Sequence, residues 1–175
     1  MRPVTADQPE SPAPRRRAIL RALLRWGAVA LGVLVLLFAV IQAVPYGRDH
    51  SNPPVRQEPA WDSPQTRALA VDACFACHSN ETSWPWYSHI APFSWLVQRD
   101  VDNGREALNF SEWDREQEGE DVVEVVQDGS MPPDYYGWLH PKARLSSDER
   151  QALIRGFEAM FGPGEGGEEG EGEDE

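Results

Sequence analysis

Cys74-Phe75-Ala76-Cys77-His78 is the stretch of this sequence best equipped for chemistry. Two thiols one helical turn apart can each add to one of the two vinyl groups of a single porphyrin. The histidine that follows then falls beneath the iron as its proximal ligand, so the spacing C-x-x-C-H is the attachment signature of c-type haem. Two plainer readings compete. A thioredoxin-like C-x-x-C opens a helix within an α/β domain, whereas this one follows a helical stretch with no strands beside it. Half of a zinc site would need a second pair of ligands, and Cys74 and Cys77 are the chain's two cysteines. One covalent haem, held through Cys74 and Cys77 with His78 on the iron, is the reading we favour.

The sixth position on the iron calls for a residue from elsewhere. Met131 stands in G-S-M-P-P, after a helix end and before two prolines that stiffen its loop. A thioether favours ferrous iron and raises the potential, which suits electron transfer. Met160 belongs to a helical apolar stripe and reads as packing. His89 and His140 are the alternatives to Met131. His89 follows the haem motif closely enough to have difficulty crossing to the distal face, and His140, before Pro141, can serve a structural hydrogen bond instead. His50 lies in a proline-rich stretch with no specific role.

The elements that must position these residues fall into distinct stretches. The 175 residues, 41% apolar and 26% charged, allow one domain of ordinary size. A net charge of -13 argues against nucleic-acid binding, which needs a basic face. Residues 1–26 carry +4, with six arginines, and residues 163–175 carry -7, which leaves -10 for the middle. From Gly27 to Val44 no residue is charged. Eighteen residues at helical rise span roughly 27 Å, close to the thickness of a bilayer core. With arginines before the run, the positive-inside rule puts the N-terminus in the cytoplasm and everything after Pro45 outside. An uncleaved anchor is favoured over a cleaved signal peptide, because the run is long and I-Q-A-V-P-Y offers no clean peptidase site. A buried core helix would show a polar face. In bacteria c-type haem is attached on that same outer side.

The expected organisation is a basic cytoplasmic stretch (1–26), a transmembrane helix (27–44), a proline-rich linker (45–60), a haem domain (61–161) and a disordered acidic Gly/Glu tail (162–175). Within the domain about four helices are expected. The first has Ser63 as N-cap and Pro64 at its first position, and runs to Cys74. A second starts near Pro92, carries Phe93, Leu96 and Val97, and ends at Asn103-Gly104. A third covers 120–128 and stops at Gly129. The last has a Ser146/Glu149 capping box, a stripe of Leu153, Ile154, Phe157, Met160 and Phe161, and a stop at Gly162-Pro163.

These blocks resemble the haem-binding domain family of small, membrane-anchored bacterial c-type cytochromes. The residues that carry the resemblance are C-F-A-C-H-S-N-E-T-S-W-P-W-Y-S-H-I-A-P-F-S-W-L (74–96), D-V-D-N-G-R-E-A-L-N-F-S-E-W (100–113) and M-P-P-D-Y-Y-G-W-L-H-P-K-A-R-L-S (131–146). The resemblance implies an all-α, cytochrome c-like fold with one covalent haem on Cys74 and Cys77, His78 as proximal ligand and the M-P-P block supplying the distal methionine. Trp84, Trp86, Tyr87, Phe93, Trp95 and Tyr135 can wall the haem, though core packing is the simpler reading of each singly; Trp86, Tyr87 and Tyr135 are the pocket candidates. Arg99 and Arg105 can meet a propionate, with solvated surface charge the simpler reading. The sequons at Asn80 and Asn109 are most simply chance in a bacterial protein.

The functional expectation is a membrane-tethered monohaem cytochrome that passes single electrons on the extracytoplasmic side and is not an enzyme. Its acidity favours a basic redox partner. The rival readings are a haem-based sensor or a peroxidase-like enzyme, each with an open sixth position, and a thiol–disulfide oxidoreductase with no haem.

Overall fold

The computed structural model describes residues 13–117, 119 and 121–162, and for residues 13–15 the backbone only. The acidic tail beyond Gly162 and the first twelve residues, and with them the disorder expected of that tail, lie outside the described residues. The chain divides into two compact units, residues 1–45 and 46–175.

The first unit is one helix, α1 (Ala13–Ile41). Arg16–Ile41 is long and apolar enough to cross a membrane, and none of its most apolar stretch is buried within the protein. It stops three residues short of the apolar run. Val44 precedes Pro45, which disfavours a helical conformation there, and two i→i+3 bonds, Ala43 N to Val40 O (3.0 Å) and Val44 N to Ile41 O (3.3 Å), tighten the end.

The second unit is helical, as expected. The described residues hold no named strand, only one isolated parallel bridge between Gln57 and Glu112. Among its described residues are six α-helices rather than about four: α2 (Pro64–Ala73), α3 (Phe75–His78), α4 (Phe93–Ala107), α5 (Val122–Gln127), α6 (Asp134–Leu139) and α7 (Ser147–Phe161), with 3-10 turns at Trp86–His89 and Pro141–Ala143. The extra helices, α3 and α6, are one to two turns long, too short to show a period of 3.6 in sequence. Both expected caps form. The Ser63 hydroxyl accepts from Thr66 N, and Ser146 with Glu149 makes the reciprocal capping box. Gly129 and Gly162 take φ values of 81° and 91° and stop α5 and α7. Gly104 does not stop α4, which continues three residues further. Its missing side chain serves a close approach instead: a Cβ there would lie 2.6 Å from the carbonyl oxygen of Cys77.

The stretch read as a linker is laid along the domain from Gly47 onward. Gly47 (φ 76°) is buried so tightly on the start of α4 that a Cβ would meet Ser94 O at 2.3 Å. His50 Nε2 donates to Ser88 O (3.1 Å) and Asn52 Nδ2 to Thr82 O (2.9 Å). Arg56 N and Gln57 N both donate to Ser111 O (2.8 and 3.2 Å). The strap ends in a two-point Arg67–Glu58 pair, 2.7 Å at each contact, with the Trp61 indole on the same carboxylate. Composition suggested an isolated spacer because prolines and polar side chains look alike in solvent and in a hydrogen-bonded extended segment.

The core forms around Phe110, which is fully buried. The rings of Trp61, Phe75, Trp113 and Phe157 lie with centroids 5.3, 5.5, 6.1 and 6.1 Å from it. Leu69 and Ala70 of α2, the valines of α5, and Leu153 and Ile154 of α7 complete the cluster, with Met160 packed against it as expected of a stripe residue. At the α2–α7 crossing the helices touch at Gly156, where a Cβ would lie 2.2 Å from Thr66 Oγ1. The hydroxyl of Thr66 is tied to Ser63 at 3.0 Å, and Thr66 is buried, so it cannot swing away freely. Gly156→Ala is expected to destabilise the domain by about 1–3 kcal/mol, read as a lower urea midpoint at unchanged slope. An unchanged midpoint would mean that the crossing yields without cost.

Candidate functional site

Between α3, α4, α5, α7, the 131–133 loop and the first turn of α6 lies a cavity of about 450 Å³, within the usual range for ligand sites. Local chemistry sets one wall. Cys74 closes α2, with its N–H bonded to Ala70 O at 2.7 Å, and the next four residues form the single turn α3. That turn keeps Cys74, Cys77 and His78 on one side of the chain, and all three line the cavity. Gly104, by letting α4 rest on Cys77, brings Asp100, Asn103 and Ala107 to the same wall.

The imidazole of His78 is fixed by the Leu-Asn-Phe segment that follows α4. Its Nδ1 donates to the carbonyl of Leu108 (3.0 Å), and its own backbone carbonyl accepts from Phe110 N (2.8 Å). With the proton on Nδ1, Nε2 carries the free lone pair, the arrangement usual in metal-ligating histidines. Burial pushes the imidazole below its ordinary range, which keeps it neutral. The neighbouring asparagines lock the same segment. Asn109 Nδ2 donates to Asn80 Oδ1 (2.9 Å), while Asn80 Nδ2 donates to Pro54 O and Glu112 Oε1 (3.0 and 2.9 Å). Both sequon asparagines are therefore buried structural groups, closed to a glycan in the folded domain.

The opposite wall contains Met131, with Pro132, Pro133, Tyr135 and Tyr136. Met131 N donates to Val125 O (2.9 Å), which hangs the loop on α5. Neither histidine alternative lines this cavity. His89 sits edge-on to His50 (4.3 Å between centroids), and His50 stacks on Trp84 (4.6 Å). His50, read as idle, thus belongs to the strap's docking contact. His140 has both nitrogens engaged: Nδ1 donates to Tyr136 O (3.0 Å) and Nε2 accepts from the Tyr87 hydroxyl (3.3 Å).

Of the three aromatic pocket candidates, only Tyr135 reaches the cavity. Trp86 and Tyr87 stand on the 3-10 turn that packs on α4, and they border a second hollow shared with Leu139 and His140. Trp86 is 76% exposed. Phe93 lies edge-on to Tyr87, and Trp84 and Trp95 lie outside the cavity as well. Alternating aromatics in a loop show that something apolar is covered, not which side each ring takes. Neither arginine reaches the cavity. Arg99 is a surface residue 3.5 Å from Asp100. Arg105 is no solvated charge: it donates to Ser79 O (2.8 Å), Asn52 Oδ1 (3.0 Å) and Thr82 Oγ1 (3.1 Å), clamping the loop after the motif to the strap. The walls that sequence reasoning did not assign are Val122, Val125 and Val126 of α5, with Phe110 and Phe157. Their signal was present as an i, i+3, i+4 apolar stripe in an otherwise acidic segment.

This donor set fits a covalently held haem: two thiols, an imidazole held through Nδ1 by Leu108 O, and a thioether, all on the wall of one mainly apolar cavity. Asp100 and Asp121 are its carboxylates, and no lysine or arginine lines it among the described residues. A family model, the haem-binding domain, matches residues 36–159. The chain belongs to the haem-binding domain family. The match starts within α1 and takes in the strap, in keeping with the strap's docking on the domain. No curated protein and no solved structure matches the chain.

The thiols of this family member are poor redox nucleophiles. Burial pushes Cys74 up to about 12 and Cys77 up to about 11, whereas dithiol oxidoreductases lower theirs. At pH 8 a thiol titrating near 11 is about two-hundredfold poorer in thiolate than an ordinary cysteine near 8.5. The haem-free chain is expected to react with iodoacetamide at pH 8 on the order of a hundredfold more slowly folded than in urea, and faster as pH rises towards 11. Equal rates would return the dithiol reading.

Proposed function

We propose that this haem-binding protein is a membrane-anchored monohaem c-type cytochrome that carries single electrons on the extracytoplasmic side. The observation that carries the reading is the convergence of Cys74, Cys77, His78 and Met131 on one cavity while His89 and His140 are engaged elsewhere. Haem, when bound, supplies an iron that takes up and releases one electron. The protein's part is to hold and tune it. Cys74 and Cys77 would hold it through thioethers, and His78 Nε2 and Met131 would be the ligands of its iron. Leu108 O holds the His78 proton on Nδ1. The valines of α5, Phe110 and Phe157 keep water from the ring, which preserves a low dielectric around the iron.

The placement of the histidines speaks for a carrier over a histidine-assisted enzyme. A peroxidase-like reaction needs a distal acid–base group, and both histidines offered for that role lie outside the cavity. The helix α1, with arginines before and within its N-terminal half, supports a single pass with the N-terminus inside. The net negative charge of the middle of the chain favours a basic partner, attracted more strongly at low salt.

With the chain expressed alongside a c-haem maturation system, haem stain is expected to follow the protein through a denaturing gel. Ferric wild type is expected to be low-spin with the methionine-to-iron charge-transfer band. Met131→Ala is expected to lose that band and turn high-spin or bind added ligand. Absence of covalent haem would overturn the cytochrome reading. A wild type already high-spin would mean an open iron and a sensor or enzyme.

A further inference from the structure

The walls that carry His78 and Met131 belong to different parts of the chain, and one side-chain hydrogen bond joins them. Tyr135, in the first turn of α6 and four residues after Met131, donates its hydroxyl to Asp100 Oδ2 of α4 at 2.9 Å. Both residues line the cavity. Asp100 lies one turn before Gly104, the residue on which α4 rests against Cys77. A continuous chain of contacts therefore runs around the cavity, from Cys77 through Gly104, Asp100 and Tyr135 to the Met131 loop. At its other end that loop hangs on α5 by Met131 N to Val125 O. Pro132 and Pro133 stiffen the interval between the two attachment points.

We propose that Tyr135 and Asp100 form a clasp that holds the Met131 loop closed over the cavity, so that Tyr135 is a positioning residue for the distal ligand. The inference rests on Met131 being that ligand, as proposed above. The acceptor is a carboxylate, which makes the bond stronger than a neutral pair. Asp100 also lies near Arg99, on its exposed side, so removing Tyr135's hydroxyl leaves the carboxylate a partner and removes only the closure. Tyr135 is 45% exposed, so its hydroxyl can leave for water when the loop opens. The closed state is thus favoured by a modest amount, and an exogenous ligand for the iron competes with Met131 in proportion to the open fraction.

A hydrogen bond of this kind corresponds to about a tenfold change in that fraction. The test uses the full chain with haem attached, as wild type, Tyr135→Phe, Asp100→Ala and the double variant, titrated with imidazole in the ferric state. Each single variant is expected to bind imidazole about tenfold more tightly and to weaken the methionine charge-transfer band. The double variant is expected to go no further than either alone, because both remove the same bond. A merely structural role would lower thermal stability without moving the imidazole affinity. Wild-type affinity in Tyr135→Phe, or additive effects in the double variant, would overturn the clasp while leaving Met131 in place. A wild type without the methionine band would overturn Met131 ligation itself, and the clasp with it.

Discussion

The pairing of the haem motif with the Leu108–Phe110 segment is the constraint on which the rest of the domain depends. Two bonds made by one residue, His78 Nδ1 to Leu108 O and His78 O from Phe110 N, fix that segment in register against α3. The same register sends the Phe110 side chain into the centre of the aromatic core and brings Asn109 onto Asn80. A shift of one residue would lose the imidazole's partner, expose Phe110 and orphan two buried amides together. Because His78 is both backbone partner and candidate iron ligand, packing and chemistry are not separable at this position.

Around that pairing the domain closes by small residues and extended chain rather than by long helices. Gly104 lets α4 touch Cys77, and Gly156 lets α7 touch Thr66. The strap from Gly47 to Glu58 then satisfies backbone groups of the segments at 79–88 and 109–113. A domain with helices as short as four and six residues cannot rely on helix propensity, since short helices are marginal by themselves. Its order comes from these loop-to-loop bonds and from the rings stacked about Phe110. The cavity exists because the helices stand off from each other where α5, the 131–133 loop and the start of α6 face α3.

The electrostatic character of the site follows from its walls. Burial keeps His78 neutral and both thiols protonated. Carboxylates, without a lysine or arginine among the described lining, give the cavity a negative bias.

Local chemistry alone determined much of this protein. The C-x-x-C-H spacing, the uncharged run, the Ser63 and Ser146 caps and the stripe of α7 are each written in a few neighbouring residues, and helical periods and caps are local properties. The place of Met131 on the cavity wall was also legible, because a methionine between a helix stop and two prolines has no apolar stripe to join. Tertiary structure decided what depends on distant pairing. Trp86 and Tyr87 face the second hollow while Tyr135 faces the cavity, since an aromatic side chain is equally content against any apolar surface. Gly104 is a contact rather than a stop, since glycine serves both ends and only the neighbour, Cys77, distinguishes them. Residues 46–60 are a strap rather than a spacer, since their hydrogen-bond partners lie about thirty to sixty residues away. The partners of His50, His140 and Arg105 were hidden for the same reason: a polar side chain announces that it can bond, and only the folded chain says to what.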